Sequence, residues 1–182
     1  MISLPNVVSF ARLLSVPLAT WLMLDGDVTA AFWVFVVAGA SDAVDGYLAK
    51  RFNARTELGA YLDPLADKAL LVAAYLTLGW LGHLPSWLVI LVVFRDVMIV
   101  GGALVVQALT QSFRARPMLI SKINTAMQIA LVTLVLARVG LGFDDFGFSR
   151  VLVAAVAVTT VLSGGAYLVY WARKLVRLEG PQ

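Results

Sequence analysis

The chain contains no cysteine and a single histidine, His83. A disulfide framework and a thiolate metal site are therefore excluded. So is any metal centre built from several histidines. A Ser-His-Asp triad survives only if His83 serves it. Charge is scarce as well: only 14% of the 182 residues are Asp, Glu, Lys or Arg, and the net charge is +3. No polar stretch is long enough for a separate soluble domain, so one domain over residues 1–182 is expected.

What is abundant is apolar. Hydrophobic residues make up 61% of the chain, against about 45–50% in an ordinary soluble protein. The mean hydropathy is +0.90. Several apolar runs approach the ~20 residues that cross a bilayer as a helix. The pattern predicts an all-α integral membrane protein with six transmembrane helices: Pro5 to Leu24, Thr29 to Arg51, Leu58 to Trp80, Pro85 to Thr110, Leu119 to Val139 and Ser149 to Leu175. Pro85 suits a first helical turn, and Pro64 is placed close enough to a helix start to be tolerated or to kink it mildly.

Charge alternates between the connections. The first holds Asp25 and Asp27 without a Lys or Arg, and the third offers only His83. The second holds Lys50, Arg51 and Arg55; the fourth holds Arg114, Arg116 and Lys122; the tail carries Arg173, Lys174 and Arg177. The positive-inside rule then puts both termini in the cytoplasm, which agrees with an even number of spans. The N-terminus has no basic region before its apolar run and is not rich in arginine and serine. A bacterial inner membrane is expected rather than a mitochondrial precursor. No internal repeat is visible, unlike many transporters, and no nucleic-acid partner is expected.

Against this background four aspartates stand together. Asp42 and Asp45 are three apart near the cytoplasmic end of the second span, and Asp63 and Asp67 are four apart near the start of the third. Each pair shares a helix face. A short connection makes the two spans antiparallel neighbours, so the pairs are expected at similar depth on the cytoplasmic side. Bare, the cluster would repel itself; a divalent cation resolves this. Mg²⁺ and Mn²⁺ prefer oxygen ligands, and two such ions sharing carboxylates clamp a phosphoryl centre. Gly46 and Ala49 continue the face of Asp42 and Asp45 and leave room for a ligand, as does Gly59 on the facing span. Lys50, Arg51 and Arg55 add cations for phosphate. The plainer alternatives are that Asp63 caps its helix and that the small residues allow close packing. Intramembrane ionisable residues are nevertheless functional by default.

Here the residues resemble a known family. "DAVDGYLAK" followed by "GAYLDPLAD" is similar to the signature of the CDP-alcohol phosphotransferases: Asp, two residues, Asp-Gly, two residues, Ala-Arg, a gap, then Gly, three residues, Asp, three residues, Asp. Asp42, Asp45, Gly46, Ala49, Gly59, Asp63 and Asp67 match, and Lys50 stands where the family has Arg. Lysine keeps the charge but loses the planar fork. The resemblance implies a homodimer of six-helix subunits that passes a phosphatidyl group from CDP-diacylglycerol to an alcohol and releases CMP. It implies metal on Asp42, Asp45, Asp63 and Asp67, with Asp67 as the general base. Asp45, Gly46, Ala49, Lys50 and Gly59 would meet the cytidine diphosphate, joined by Asn6 and Arg12 of "LPNVVSFAR", although Asn6 equally suits a helix cap.

The acceptor side is expected among the remaining cations. Arg95 lies within a span, where it lines an anionic pocket or pairs with a carboxylate such as Asp96 or Asp67. Arg114 and Arg116 either bind the acceptor or the anionic lipid surface, and Lys122 either binds it or snorkels. "FRDVMIVGGALVV" with "SKINTAMQ" resembles the mitochondrial-type cardiolipin synthases of the family, which makes phosphatidylglycerol the expected acceptor. The Lys, Thr and Gln spacing of the second segment is shared with phosphatidylglycerophosphate synthases, so glycerol 3-phosphate is the alternative. Gly101, Gly102, Ser163, Gly164 and Gly165 are small enough for helix association, between subunits or within one.

Overall fold

A computed structural model describes residues 4–52, 57–110, 118–142 and 144–179, with side chains placed for 10–41, 68–103, 118–142 and 144–173. Six helices follow in order: α1 Leu4–Asp25, α2 Val28–Phe52, α3 Glu57–Trp80, α4 Ser86–Thr110, α5 Leu119–Leu141 and α6 Phe148–Glu179. No strand occurs among the described residues. The protein is all-helical, and each helix matches one expected span to within a few residues.

Local chemistry sets the ends. The Asp27 carboxylate accepts from the Ala30 amide at 3.0 Å, capping the first turn of α2. Gly26 adopts φ 91° between α1 and α2, a turn that a side chain would strain. Pro85 precedes α4 instead of lying within it, and its carbonyl accepts from the Leu88 and Val89 amides. Asp144 and Asp145 accept from the Phe146 and Gly147 amides, folding the α5–α6 connection into tight turns. Two prolines sit deeper than a first turn. Pro17 lies inside α1, and Pro64 falls two turns past the start of α3. A membrane setting tolerates such prolines where neighbouring groups satisfy the freed backbone.

The chain divides into two compact units, Met1–Leu84 with Val132–Gly147, and Pro85–Leu131 with Phe148–Gln182. In the first, α1 packs against α2 and α3. Ala19, Ala31, Ala38 and Ala74 are buried with Met23, Phe35, Tyr75 and Leu78; alanines let the helix backbones approach. The Thr29 hydroxyl donates to the Gly140 carbonyl at 2.6 Å, fastening the end of α5 to the start of α2. A methyl group at Gly140 would stand 2.9 Å from the backbone of Val28 and Thr29.

In the second unit α4 packs against α6. Tyr167 and Trp171 form an apolar cluster with Met98, Ile99 and Met118, and Gly102 accommodates the Trp171 ring. Gly164 meets Met98 and the Arg95 stem. These small residues serve packing within one subunit. The outer faces are apolar: Ile90, Phe94 and Val97 on α4, and Val158, Val161 and Leu162 on α6, are all exposed. Among the described residues, Ser86–Ala103, Leu119–Leu141 and Phe148–Arg173 are long and apolar enough to cross a bilayer. The architecture is that of a membrane protein, in which lipid covers such faces.

Candidate active site

The backbone places Asp42 and Asp45 one turn apart on α2, and Asp63 and Asp67 one turn apart on α3. Gly46, Ala49 and Lys50 follow on α2, and Gly59 precedes on α3. Asp63 lies two turns inside α3, so it is not the cap of that helix. The side chains of these eight residues, and that of Asn6 in the first turn of α1, lie outside the described set. Among the described residues no three carboxylate or imidazole side chains gather closely enough for a metal ion. The donor set carried by α2 and α3, four carboxylates without a thiolate or imidazole, fits a hard divalent cation.

Arg12 is described and buried on α1. It lines a groove of about 350 Å³ with Ala11, Ser15, Trp33, Val34, Val37, Ala38 and Ser41. That volume falls in the range of small-molecule sites, ~300–1,000 Å³. The lining is apolar apart from Arg12 and the two serines, and Ser41 is the residue before Asp42.

Arg95 is buried on α4 and held on several sides. Its Nη1 donates to Asp96 at 2.6 Å, so the pairing with its neighbour is realised. Its Nη2 donates to Ser121 of α5 at 2.6 Å and to Ser163 of α6 at 2.5 Å. One turn further along, Asn124 accepts from the Thr159 and Thr160 hydroxyls at 2.8 and 2.9 Å. Gln128, another turn along α5, is fully buried. Three helices thus share a polar seam inside apolar surroundings, where every polar group needs a partner. Lys122 by contrast is exposed on the first turn of α5, and Lys68 is half-buried on α3. Arg114 and Arg116 lie outside the described residues.

Sequence reasoning picked Arg95 but passed over most of its surroundings. Asp96 entered only as a pairing alternative, Ser163 only as a small packing residue, and Ser121, Asn124 and Thr160 not at all. The signal was there: Ser121, Asn124 and Gln128 recur at three- and four-residue spacing, a polar face on a largely apolar helix.

A profile of the CDP-alcohol phosphatidyltransferases matches residues 2–163. The chain belongs to that family. Relatives within it include the rat and human proteins named cardiolipin synthase (CMP-forming), each 32% identical over 97% of this chain. The chain spans 63% and 64% of their lengths. The CDP-diacylglycerol–glycerol-3-phosphate 3-phosphatidyltransferase of Bacillus subtilis is 32% identical over 92% of the chain and 94% of its own length. Family membership thus rests on nearly the whole chain and not only on the aspartate signature.

Proposed function

We propose that the chain transfers a phosphatidyl group from CDP-diacylglycerol to phosphatidylglycerol, forming cardiolipin and releasing CMP. The observation that carries this reading is the family signature on α2 and α3, joined to likeness over 97% of the chain with proteins named for that product. The acceptor hydroxyl oxygen bonds to the phosphorus that bears the diacylglycerol. The bond from that phosphorus to the CMP oxygen breaks, and Asp67 takes the hydroxyl proton. Asp42, Asp45, Asp63 and Asp67 would hold Mg²⁺ or Mn²⁺, two ions in all, which when bound supplies positive charge to the pyrophosphate and to the departing CMP. A tight metal ligand is a poor base, so Asp67 would be the most weakly coordinating of the four.

Gly46, Ala49 and Gly59 leave space for the cytidine diphosphate, and Lys50, Asn6 and Arg12 flank it. The groove beside Arg12 combines a cation with apolar walls, which suits an anionic lipid. Arg95 is the cation for the acceptor, with Arg114, Arg116 and Lys122 drawing anionic headgroups to the surface. In this reading the protein forms a homodimer of six-span subunits in a bacterial inner membrane, with both termini and the active site on the cytoplasmic side.

A second reading has glycerol 3-phosphate as acceptor, giving phosphatidylglycerophosphate. It is favoured by the Bacillus subtilis relative, whose length this chain nearly spans. Both readings are tested with the purified protein in detergent, Mg²⁺ or Mn²⁺ and CDP-diacylglycerol, adding each acceptor separately and identifying the lipid formed. Cardiolipin from phosphatidylglycerol alone supports the first reading. Phosphatidylglycerophosphate from glycerol 3-phosphate alone replaces it with the second.

A further inference from the structure

The seam around Arg95 has more donors than acceptors. A guanidinium offers five N–H groups and accepts nothing. Asp96 takes one from Nη1, and Ser121 and Ser163 take two from Nη2. Nε is buried without a partner.

The serines add to this excess. Each serine oxygen accepts from Arg95, which leaves the hydroxyl hydrogen to be given elsewhere. Other hydroxyls spend that hydrogen on their own helix backbone: Ser15 on the Arg12 carbonyl, Ser41 on Val37, Thr77 on Ala73 and, on α5 itself, Thr125 on Ser121. Among the described residues, Ser121 and Ser163 make no such bond back onto the helix; their hydroxyls hydrogen-bond only to Arg95. Asn124, one turn along, accepts from Thr160 and shares the Thr159 hydroxyl with the Ala155 carbonyl, and its amide nitrogen is buried without a partner among the described residues. At Arg95 itself the unspent groups are donors: Nε of the guanidinium and the hydroxyl hydrogens of the two serines.

A buried donor without an acceptor is costly in an apolar setting. A cluster of them beside a guanidinium matches a ligand that brings several acceptor oxygens and negative charge. We propose that Ser121 and Ser163 bind the phosphate oxygens of the acceptor directly, alongside Arg95, and that Asp96 is a positioning residue that fixes the guanidinium between them. Asn124 receives an oxygen further along the same headgroup. This rests on the reading of Arg95 as the acceptor's cation. The phosphate is that of a lipid headgroup or of a free glycerol phosphate, and the chemistry of recognition is shared.

Two measurements on the full chain in detergent test this. In the first, KM for acceptor and for CDP-diacylglycerol are compared in the wild type, Ser121→Ala, Ser163→Ala and the hydroxyl-restoring Ser121→Thr. Each alanine variant is expected to raise the acceptor KM roughly tenfold or more, the usual effect of losing a hydrogen bond to a charged group. The donor KM stays within about twofold, and Ser121→Thr recovers much of the loss. Equal changes in both KM values, or none in either, would overturn the assignment.

The second measurement does not require turnover. Thermal unfolding is followed with inorganic phosphate, glycerol 3-phosphate or dioctanoyl phosphatidylglycerol. Stabilisation by the last alone identifies a lipid headgroup, and stabilisation by the first two identifies a free phosphate. Either shift should be lost in the Ser121→Ala, Ser163→Ala double variant. A wild type that makes no product but shows this shift would refute the proposed reaction and keep the anion site. A wild type stabilised by none of the three, or a double variant stabilised as fully as the wild type, would remove the site itself.

Discussion

Arg95 and Asp96, adjacent on α4, are paired to each other at 2.6 Å with both side chains at most one-tenth exposed. Neighbouring residues on a helix normally point about 100° apart, so the pair forms only because the arginine is long enough to turn back. The serines of α5 and α6 then occupy the other terminal nitrogen. The ion pair links the stability of this unit to its proposed binding chemistry.

Removing the carboxylate leaves a buried cation uncompensated. Asp96→Ala is expected to destabilise the protein by about 3–5 kcal/mol, measured as a shift in the unfolding transition in detergent. Asp96→Asn keeps an oxygen to accept from Nη1 and should lose less. Equal stability of Asp96→Ala and the wild type would mean that Arg95 finds another partner.

Gly140 meets backbone, which cannot turn aside. A Cβ there would stand 2.9 Å from the Val28 carbonyl and the Thr29 amide nitrogen. Gly140→Ala should cost about 1–3 kcal/mol through overpacking and part the Thr29 hydroxyl from the Gly140 carbonyl. Thr29→Val, which removes the hydroxyl alone, should cost about 1 kcal/mol. Unfolding measurements on the two variants separate steric from hydrogen-bond effects.

Gly102 meets a side chain instead. A methyl group there would collide with the Trp171 ring, which also packs at 5.6 Å against Tyr167. Gly102→Ala should therefore change tryptophan fluorescence and lower the unfolding midpoint. Combining it with Trp171→Leu should recover stability relative to Gly102→Ala alone, since the smaller side chain yields the space.

The proposed metal ligands predict a different pattern. Asp42→Asn and Asp63→Asn should each abolish most product formation while leaving the unfolding midpoint near that of the wild type. Residual activity should require a higher concentration of Mg²⁺ or Mn²⁺. Activity that stays at the wild-type level in both variants would detach the reaction from these carboxylates.

The helices were legible because apolar length and charged connections are linear properties of a chain. Asp42, Asp45, Asp63 and Asp67 stand out in the sequence for a related reason: charge in an apolar span is conspicuous, and helical spacing pairs it, while their side chains lie outside the described residues. The partners of Arg95 were much harder to see. Ser121 and Ser163 are 42 residues apart in the numbering, and serine is ordinary in a membrane helix, where it bonds its own backbone. Only packing shows that these two bond the guanidinium instead. Pro17 was passed over because α1 continues through it, and Gly140 because its close approach to α2 is a tertiary fact.

The most direct test of the proposed reaction follows CMP release from CDP-diacylglycerol in the presence of phosphatidylglycerol, comparing the wild type with Asp67→Asn at saturating metal. Loss of a general base should slow release about 10²–10⁴-fold, with metal-dependent release retained by the wild type and abolished by chelation. Undiminished CMP release from Asp67→Asn, or wild-type release indifferent to chelation, would contradict the assignment of these aspartates to metal and base.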